Sequence, residues 1–321
     1  MRIYADRFHV GAPTHVGPLT VFPIWSESSC SQDFATPATG GVAIRELAEP
    51  RVSTLTISNR SATGILVPEG AILDGGWQTR VVSRSRFVAA NTSRQIPVNC
   101  VERGRWQGDG EHRPDGRAPI SVVASLRGIA PQGRTARDRQ EEVWEKVSRL
   151  ERHYGSRRTN NLLDIMADEE LNADSQRRAA ARGQRPARTL DPRLVAEIER
   201  IGSSPLPGQS GVMIGVAGHP VAVEVLGNPV AFAAAFPELL RAALLDAATV
   251  EWRPTPGRNA RAFAEEVLFT PVNLTALSSS SQSFGGHSDL ADIRAIAPVQ
   301  GTGSSFHTAV INRRHELALA A

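Results

Sequence analysis

From Leu19 to about Val123 the chain is a succession of short apolar or β-branched runs, LTVFPIW, GVAIREL, VSTLTISN, GILVPEGAIL, RVVSRSRFVA and QIPVNCVE, separated by turn residues. Runs of this length and composition read as strands. The clearest spans 52–58, where Val52, Thr54, Thr56 and Ser58 alternate with Ser53, Leu55 and Ile57. That two-residue period marks a strand with one buried face and one wet face. SNRSATG at 58–64 and PEG at 68–70 supply turn chemistry. Strands in succession without helices between them predict an antiparallel sandwich or barrel-like layer rather than a doubly wound sheet. GRWQGDGEHRPDG, residues 104–116, concentrates Gly, Pro and charge and is expected to be a loop.

Beyond ISVVASL and a second basic loop reaching about Arg134, the period becomes 3.6: Val143, Val147, Leu150 and Tyr154 stand at helical spacing, with Trp144 beside them. Further helices are expected over about 160–180 and from Asp191, where Pro192 takes a first-turn position at which its missing N–H costs nothing. The polar stretch ARGQRPARTL at 181–190 joins them. The β pattern returns in GVMIGVAG and HPVAVEVLG, a hairpin turning at Gly218 and His219. A helix follows, with Asn228 as N-cap, Pro229 at its first position, and Phe232, Phe236, Leu239, Leu240 and Leu244 on one face. A Ser-rich loop (TALSSSSQSFGGHSDL), a strand-like ADIRAIAPV and a terminal strand FHTAVINRRHELALA complete the chain. The expected class is therefore α+β. Residues 1–125 form a β-rich part and 126–205 a helical segment. Residues 206–321 supply a hairpin, helix and strands that pack back to make one continuous unit.

Composition narrows the function. The 321 residues are 41% hydrophobic and 21% charged, an ordinary folded soluble protein. The net charge of +3 comes from 36 basic against 33 acidic residues, nearly all the bases being Arg, with Lys146 the single lysine. Acidic residues are interspersed among the arginines and no nucleic-acid motif occurs, so nucleic acid is not the expected partner. Two cysteines, Cys30 and Cys100, make no disulfide scaffold and no zinc ribbon. Met1–Gly11 lacks the apolar core of a signal peptide, and the nearest approach to a membrane span, Phe232–Leu245, is interrupted by Pro237, Glu238 and Arg241. A cytoplasmic location without a membrane partner is expected.

Chemistry-bearing residues concentrate in two blocks, LVPEGAILDGGWQTR at 66–80 and IPVNCVERGRW at 96–106. On neighbouring strands their side chains can converge. Glu69 with Glu102 or Asp74 supplies two carboxylates for acid/base work. Arg80 and Arg105 suit bidentate capture of phosphate or carboxylate, and Trp106 or Trp77 can stack on a ring. The competing reading is an ion-pair network that ties two strands together. Cys100 is either a thiolate nucleophile beside arginines or a packed thiol, since it shares a strand face with Val98 and Glu102. The eight histidines show no metal-ligand spacing, and His112 and His287 are those placed in loops. There is no GxSxG elbow and no phosphate-loop lysine.

These same residues carry a resemblance. Glu69-Gly70, then Gly75-Gly76-Trp77-Gln78-Thr79-Arg80, then Pro97-Val98-Asn99-Cys100-Val101-Glu102-Arg103-Gly104-Arg105-Trp106 resemble the blocks of the ARPP-1 family, as does GVAGHPVAVEVLGNPVAFAAAFPELLRAALLDA. Thr79 stands where that family has Asn, and Leu226 where it has Phe. The resemblance implies association with ADP-ribosylglycohydrolases and phosphatase-like proteins, hence a part in NAD- or ADP-ribose-linked metabolism with a nucleotide-type ligand; it specifies no reaction and no cofactor. The residues expected to act are Glu69, Glu102 and Cys100 as catalytic groups and Gln78, Arg80, Arg105 and Trp106 as ligand contacts. The alternative is a non-catalytic interaction module whose basic loops, 101–117 and 127–139, meet a protein partner.

Overall fold

The structure, a computed structural model, describes residues 8–27, 30, 33–129, 135–154, 159–167, 190–267, 275–276, 283–297 and 305–319. The strands of the first half are β1 (Phe8–Val10), β2 (Thr14–Val16), β3 (Leu19–Ser26), β4 (Phe34–Ala35), β5 (Val42–Arg45), β6 (Thr54–Asn59), β7 (Gly64–Val67), β8 (Ala71–Gly75), β9 (Arg80–Val82), β10 (Arg86–Val88), β11 (Ser93–Cys100) and β12 (Glu111–Arg117). Helices α1 (Ile120–Arg127), α2 (Ala136–Tyr154), α3 (Leu162–Ala167) and α4 (Pro192–Gly202) come next. After them stand the hairpin β13 (Gly211–Val216) and β14 (His219–Leu226), then helices α5 (Pro229–Ala247) and α6 (Gly257–Val267). The chain ends with β15 (Thr275–Ala276), β16 (Ser283–His287), β17 (Ala291–Ile296), β18 (His307–Asn312) and α7 (Glu316–Leu319).

Six strands close an antiparallel barrel in the order β11-β6-β5-β12-β8-β9, with β9 pairing back to β11. The alternation seen in the sequence places Leu55 and Ile57 of β6 inside, against Ile44, Leu73, Ile96 and Val98. The short sheet β10-β7-β4 contributes Ile65 and Val88 to the same core.

The second layer is a nine-stranded sheet in the order β1-β3-β13-β14-β18-β17-β16-β15, with β2 also on β3. Because β3 pairs with β13 along its length, early and late parts of the chain share one sheet. Each face of that sheet has its own cover. Val212, Ile214 and Val216 meet Phe232, Phe236, Leu240 and Leu244 of α5 in one cluster. Met213, Val223 and Val225 meet Ala260, Phe263 and Ala264 of α6 in another. Asn228 caps α5 as expected, its side chain accepting from the N–H groups of Val230 and Ala231. The hairpin turns on Ala217 (φ 48°) and Gly218 (φ 83°), the left-handed pair that a tight two-residue turn demands.

Several elements differ from the sequence reading. The expected loop 104–116 contains β12, whose Pro114 is tolerated because β5 pairs with this strand only through Glu111 and His112, leaving the edge beyond them without a strand partner among the described residues. ISVVASL, placed within the strand-forming half, is the helix α1. It ends at Gly128 (φ 64°), whose N–H returns to the carbonyls of Ala124 and Ser125. RVVSRSRFVA is two strands, parted at residues 83–85. The Ser-rich stretch contains β16, where His287 ends a strand; the terminal run stops being strand at Asn312; and α6 was not anticipated. Of the helix expected over 160–180, Leu162–Ala167 is helical and residues 160–161 precede it; residues 168–180 and linker residues 181–189 lie outside the described residues.

Candidate functional site

The GGWQTR block is shaped by its glycines. Gly75 (φ 94°) and Gly76 (φ 52°) both have positive φ. A Cβ on Gly76 would stand 2.1 Å from His112 Nε2, so no larger residue fits without expelling the ring. His112 in turn meets Glu46 Oε1 at 3.1 Å, and the same oxygen lies 3.6 Å from Arg80 Nη2. Arg80 is completely buried and donates to Gln78 Oε1, while Trp106 lies over its guanidinium, 5.3 Å away, and meets Trp77 edge-on. The side chain of Arg80 is thus sealed inside the barrel end by the residue expected to stack on a ligand.

The second block is a brace across the barrel mouth. Glu102 accepts from the Thr79 N–H (2.9 Å), the Thr79 hydroxyl (3.1 Å), and Arg105 Nε and Nη2 (2.6 Å each). Arg105 also donates to the carbonyls of Gly76 (2.7 Å), Gln107 (3.1 Å) and Gly75 (3.3 Å). Every guanidinium nitrogen of Arg105 therefore has a partner within the protein. Burial works to raise the Glu102 carboxyl, but the hydrogen bonds from Arg105 and Thr79 overcome it and hold the group below the usual carboxylate range. Cys100 is fully buried, its thiol donating to the Glu102 carbonyl at 2.7 Å, and Gln140 of α2 brackets its backbone from outside. Burial pushes that thiol up, away from the thiolate form.

The structure brings Gln78, Arg80, Cys100, Glu102, Arg105 and Trp106 together and places Glu69 in a different network. Glu69, in the turn before β8, accepts from Arg127 of α1 (2.9 Å) and Arg294 of β17 (2.6 Å). Arg127 also donates to Asp292 Oδ1 (3.1 Å) and to the carbonyls of Asp292 (2.9 Å) and Ala309 (3.3 Å). This seam joins the barrel to the large sheet. Burial opposes ionisation of Glu69, yet Arg127 and Arg294 hold its carboxyl below the ordinary range.

The seam continues through residues far apart in the chain. The Glu69 N–H donates to Ser85 Oγ (2.8 Å), Ser85 Oγ lies 2.9 Å from His307 Nδ1, and His307 Nε2 lies 3.1 Å from Glu224 Oε1. Arg117 of β12 donates to both oxygens of Glu224 (2.8 and 2.7 Å). Burial acts against the charge on Glu224, but Arg117 and the His307 contact keep it low. Arg84 and Arg86 flank Ser85, and neither pairs with a carboxylate among the described residues. The sequence reading missed Ser85, Glu224 and His307. The one local signal was a polar Arg-Ser-Arg interrupting an otherwise apolar β run.

A cleft of about 750 Å³ opens between β12, α3, α4 and α5, its walls including Asp74, Asp115, Glu238 and Arg117. Burial raises the Asp115 carboxyl, with Asp74 adding to the rise, and burial likewise raises Glu238, with Asp115 contributing. Among the described residues no group of three or more His, Cys, Asp or Glu is placed to hold a metal ion. No described helix is long and apolar enough to cross a membrane.

Comparison with curated proteins and with solved structures returns no match. One family profile does match: ARPP-1, the ARG and Rhodanese-Phosphatase-superfamily-associated Protein domain, over residues 7–291. With that match running from β1 into β17, the chain belongs to the ARPP-1 family.

Proposed function

We propose that the protein binds and processes a phosphate-bearing small molecule of nucleotide type, and that it does so at the seam between barrel and sheet. The observation that carries this reading is the surplus of positive charge around Ser85. Glu69 and Asp292 are consumed by Arg127 and Arg294, and Glu224 by Arg117, while Arg84 and Arg86 have no counter-charge among the described residues. Burial, and then the neighbouring charges of Arg84 and Arg94, press the Arg86 guanidinium below arginine's usual range. An anion placed there relieves that repulsion and gains bidentate, charge-assisted hydrogen bonds. The association of this family with a phosphatase superfamily, in its own description, accords with a phosphate-bearing ligand.

On this reading the two sequence blocks act on the ligand only indirectly. Arg105 has spent its donors on Glu102 and on three carbonyls, and Arg80 is enclosed beneath Trp106. They hold the barrel end in shape.

The test is calorimetric titration with pyrophosphate and with ADP-ribose at low ionic strength, on the wild type and on an Arg84→Gln, Arg86→Gln double variant. A hydrogen bond to a charged group contributes about 1.5–3 kcal/mol, so each arginine accounts for roughly a 10- to 100-fold change in affinity. Unchanged affinity in the double variant, with its fold intact, would remove the site from the seam.

A further inference from the structure

We propose that Ser85 is a nucleophile, activated by His307 with Glu224 behind it, that attacks the phosphorus of a phosphate ester held by the arginines around it. The inference rests on the anion site proposed above and assigns it a reaction.

The hydrogen bonds fix the direction of the relay. Glu224 is partly buried and held ionised by Arg117, so it can only accept. Nε2 of His307, 3.1 Å from Glu224, must then carry a proton, and in the tautomer with its single proton there the Nδ1 lone pair faces Ser85 Oγ at 2.9 Å. Ser85 Oγ already accepts the Glu69 N–H, so its own hydrogen is directed at Nδ1. A serine hydroxyl, a base that takes its proton and a carboxylate that orients the base are thereby aligned. Each comes from a different element: the β9–β10 loop, β18 and β14.

Ser85 and His307 line a depression with room for about one water molecule, roughly 10 Å³, and Arg84 and Arg294 stand in its walls. Arg86 Nη1 donates to the Ser85 carbonyl (3.3 Å) and to Ser283 Oγ (3.1 Å), pinning the peptide that carries the nucleophile. Arg84, with no described partner, can swing onto the oxygens of an entering phosphoryl group, where charge is spread in the transition state.

The step balances without a metal. The Ser85 Oγ–P bond forms as the bond from phosphorus to the ester oxygen breaks; the Oγ proton passes to His307 Nδ1 and then to the departing alkoxide. Water next attacks the phosphoserine, giving its proton to the same nitrogen; inorganic phosphate leaves and Ser85 regains its hydrogen. Ser85 and His307 are the catalytic residues, and Glu224 and Arg117 are positioning residues.

The experiment uses the full chain and a fluorophosphonate, whose P–F bond is broken by an activated serine, with peptide mapping by mass spectrometry. One adduct on Ser85 of the wild type is expected, slowed by competing inorganic phosphate, together with hydrolysis of 4-nitrophenyl phosphate. Ser85→Ala lowers that hydrolysis at least about 1000-fold and His307→Gln about 100-fold or more. Glu224→Gln slows labelling and moves its pH profile while phosphate affinity stays within about twofold. Because these buried variants can lose their fold, wild-type mapping is the deciding measurement. A protein that binds phosphate through Arg84 and Arg86 yet gives no Ser85 adduct overturns the nucleophile and leaves the anion site standing. One that binds no phosphate overturns both.

Discussion

Replacing Arg127 by Met separates a structural seam from a decorative one. Arg127 is nearly fully buried and reaches Glu69 from the barrel and both Asp292 and Ala309 from the large sheet. Burial works against its charge, but Glu69 and Asp292 more than compensate and hold the proton on. Methionine fills much of the same volume without a donor, leaving the Glu69 carboxylate with Arg294 alone and two carbonyls without this partner. Breaking a buried pair from one side costs about 3–5 kcal/mol, because the charge left behind has lost its compensation. At an m of about 3 kcal/mol/M, the urea midpoint should fall by a little over 1 M. Adding Glu69→Gln to Arg127→Met should cost less than the sum of the two single changes, the signature of a shared interaction. A midpoint within about 0.3 M of wild type for Arg127→Met would refute the reasoning and show the two layers held together by apolar contact alone.

Two further outcomes test other parts of the structure. Asp246 is buried, accepting from the Ser121 N–H (2.8 Å) and hydroxyl (2.6 Å), and burial pushes its carboxyl up from 3.8 to about 6. The folded state therefore holds this proton more tightly than the unfolded chain between those values, so this contribution favours the fold as pH falls. Measured against Asp246→Asn, the wild type should gain about 1.3 kcal/mol between pH 7 and pH 5 in chemical denaturation, and a flat difference would contradict the burial argument. At Gly76 an added Cβ meets the His112 ring and the backbone has φ 52°. Gly76→Ala should cost about 2–4 kcal/mol in the same assay, about 1–2 of it from the left-handed backbone and the rest from displacing His112. A cost of only about 1 kcal/mol would mean that the His112 ring moves aside freely.

What was legible in the sequence was whatever local periodicity or capping encodes. Leu55 and Ile57 announced the inner face of β6, and Asn228 with Pro229 announced the start of α5. α1 escaped because ISVVASL is apolar on nearly all sides, and a short apolar run carries no period that distinguishes a buried helix from a buried strand. β12 escaped for the opposite reason. EHRPDGR has no apolar alternation, since His112 and Arg117 point inward as polar groups whose partners, Glu46 and Glu224, are 66 and 107 residues away. The candidate site divides the same way. Glu102 and Arg105 lie three residues apart and stand out as a motif, yet their pairing is a brace that holds Thr79, Gly75 and Gly76 of the neighbouring block. Ser85 and His307 are 222 residues apart, and only the pairing of β14 with β18, which sets His307 opposite Leu226 and so near Glu224, brings the relay together.

The arginines of this chain do different work, and counting their partners distinguishes it. Arg105 spends every guanidinium nitrogen on Glu102 and on the carbonyls of Gly75, Gly76 and Gln107, which ties its loop to the GGWQTR block and neutralises one carboxylate. Along the seam the carboxylates Glu69, Asp292 and Glu224 are matched by Arg127, Arg294 and Arg117, one charge for one charge, which lets a polar layer sit between two apolar cores without a net field. Arg84 and Arg86 exceed that balance. They are partly exposed and flank a serine whose Oγ lies 2.9 Å from His307 Nδ1. Two cations kept side by side without a described carboxylate cost stability through their repulsion, a cost the fold bears at a position where an incoming anion would cancel it. The sign of the surplus disfavours a cationic ligand at this position, and the surplus lies beside Ser85 rather than in the acidic cleft that Arg117 helps to line.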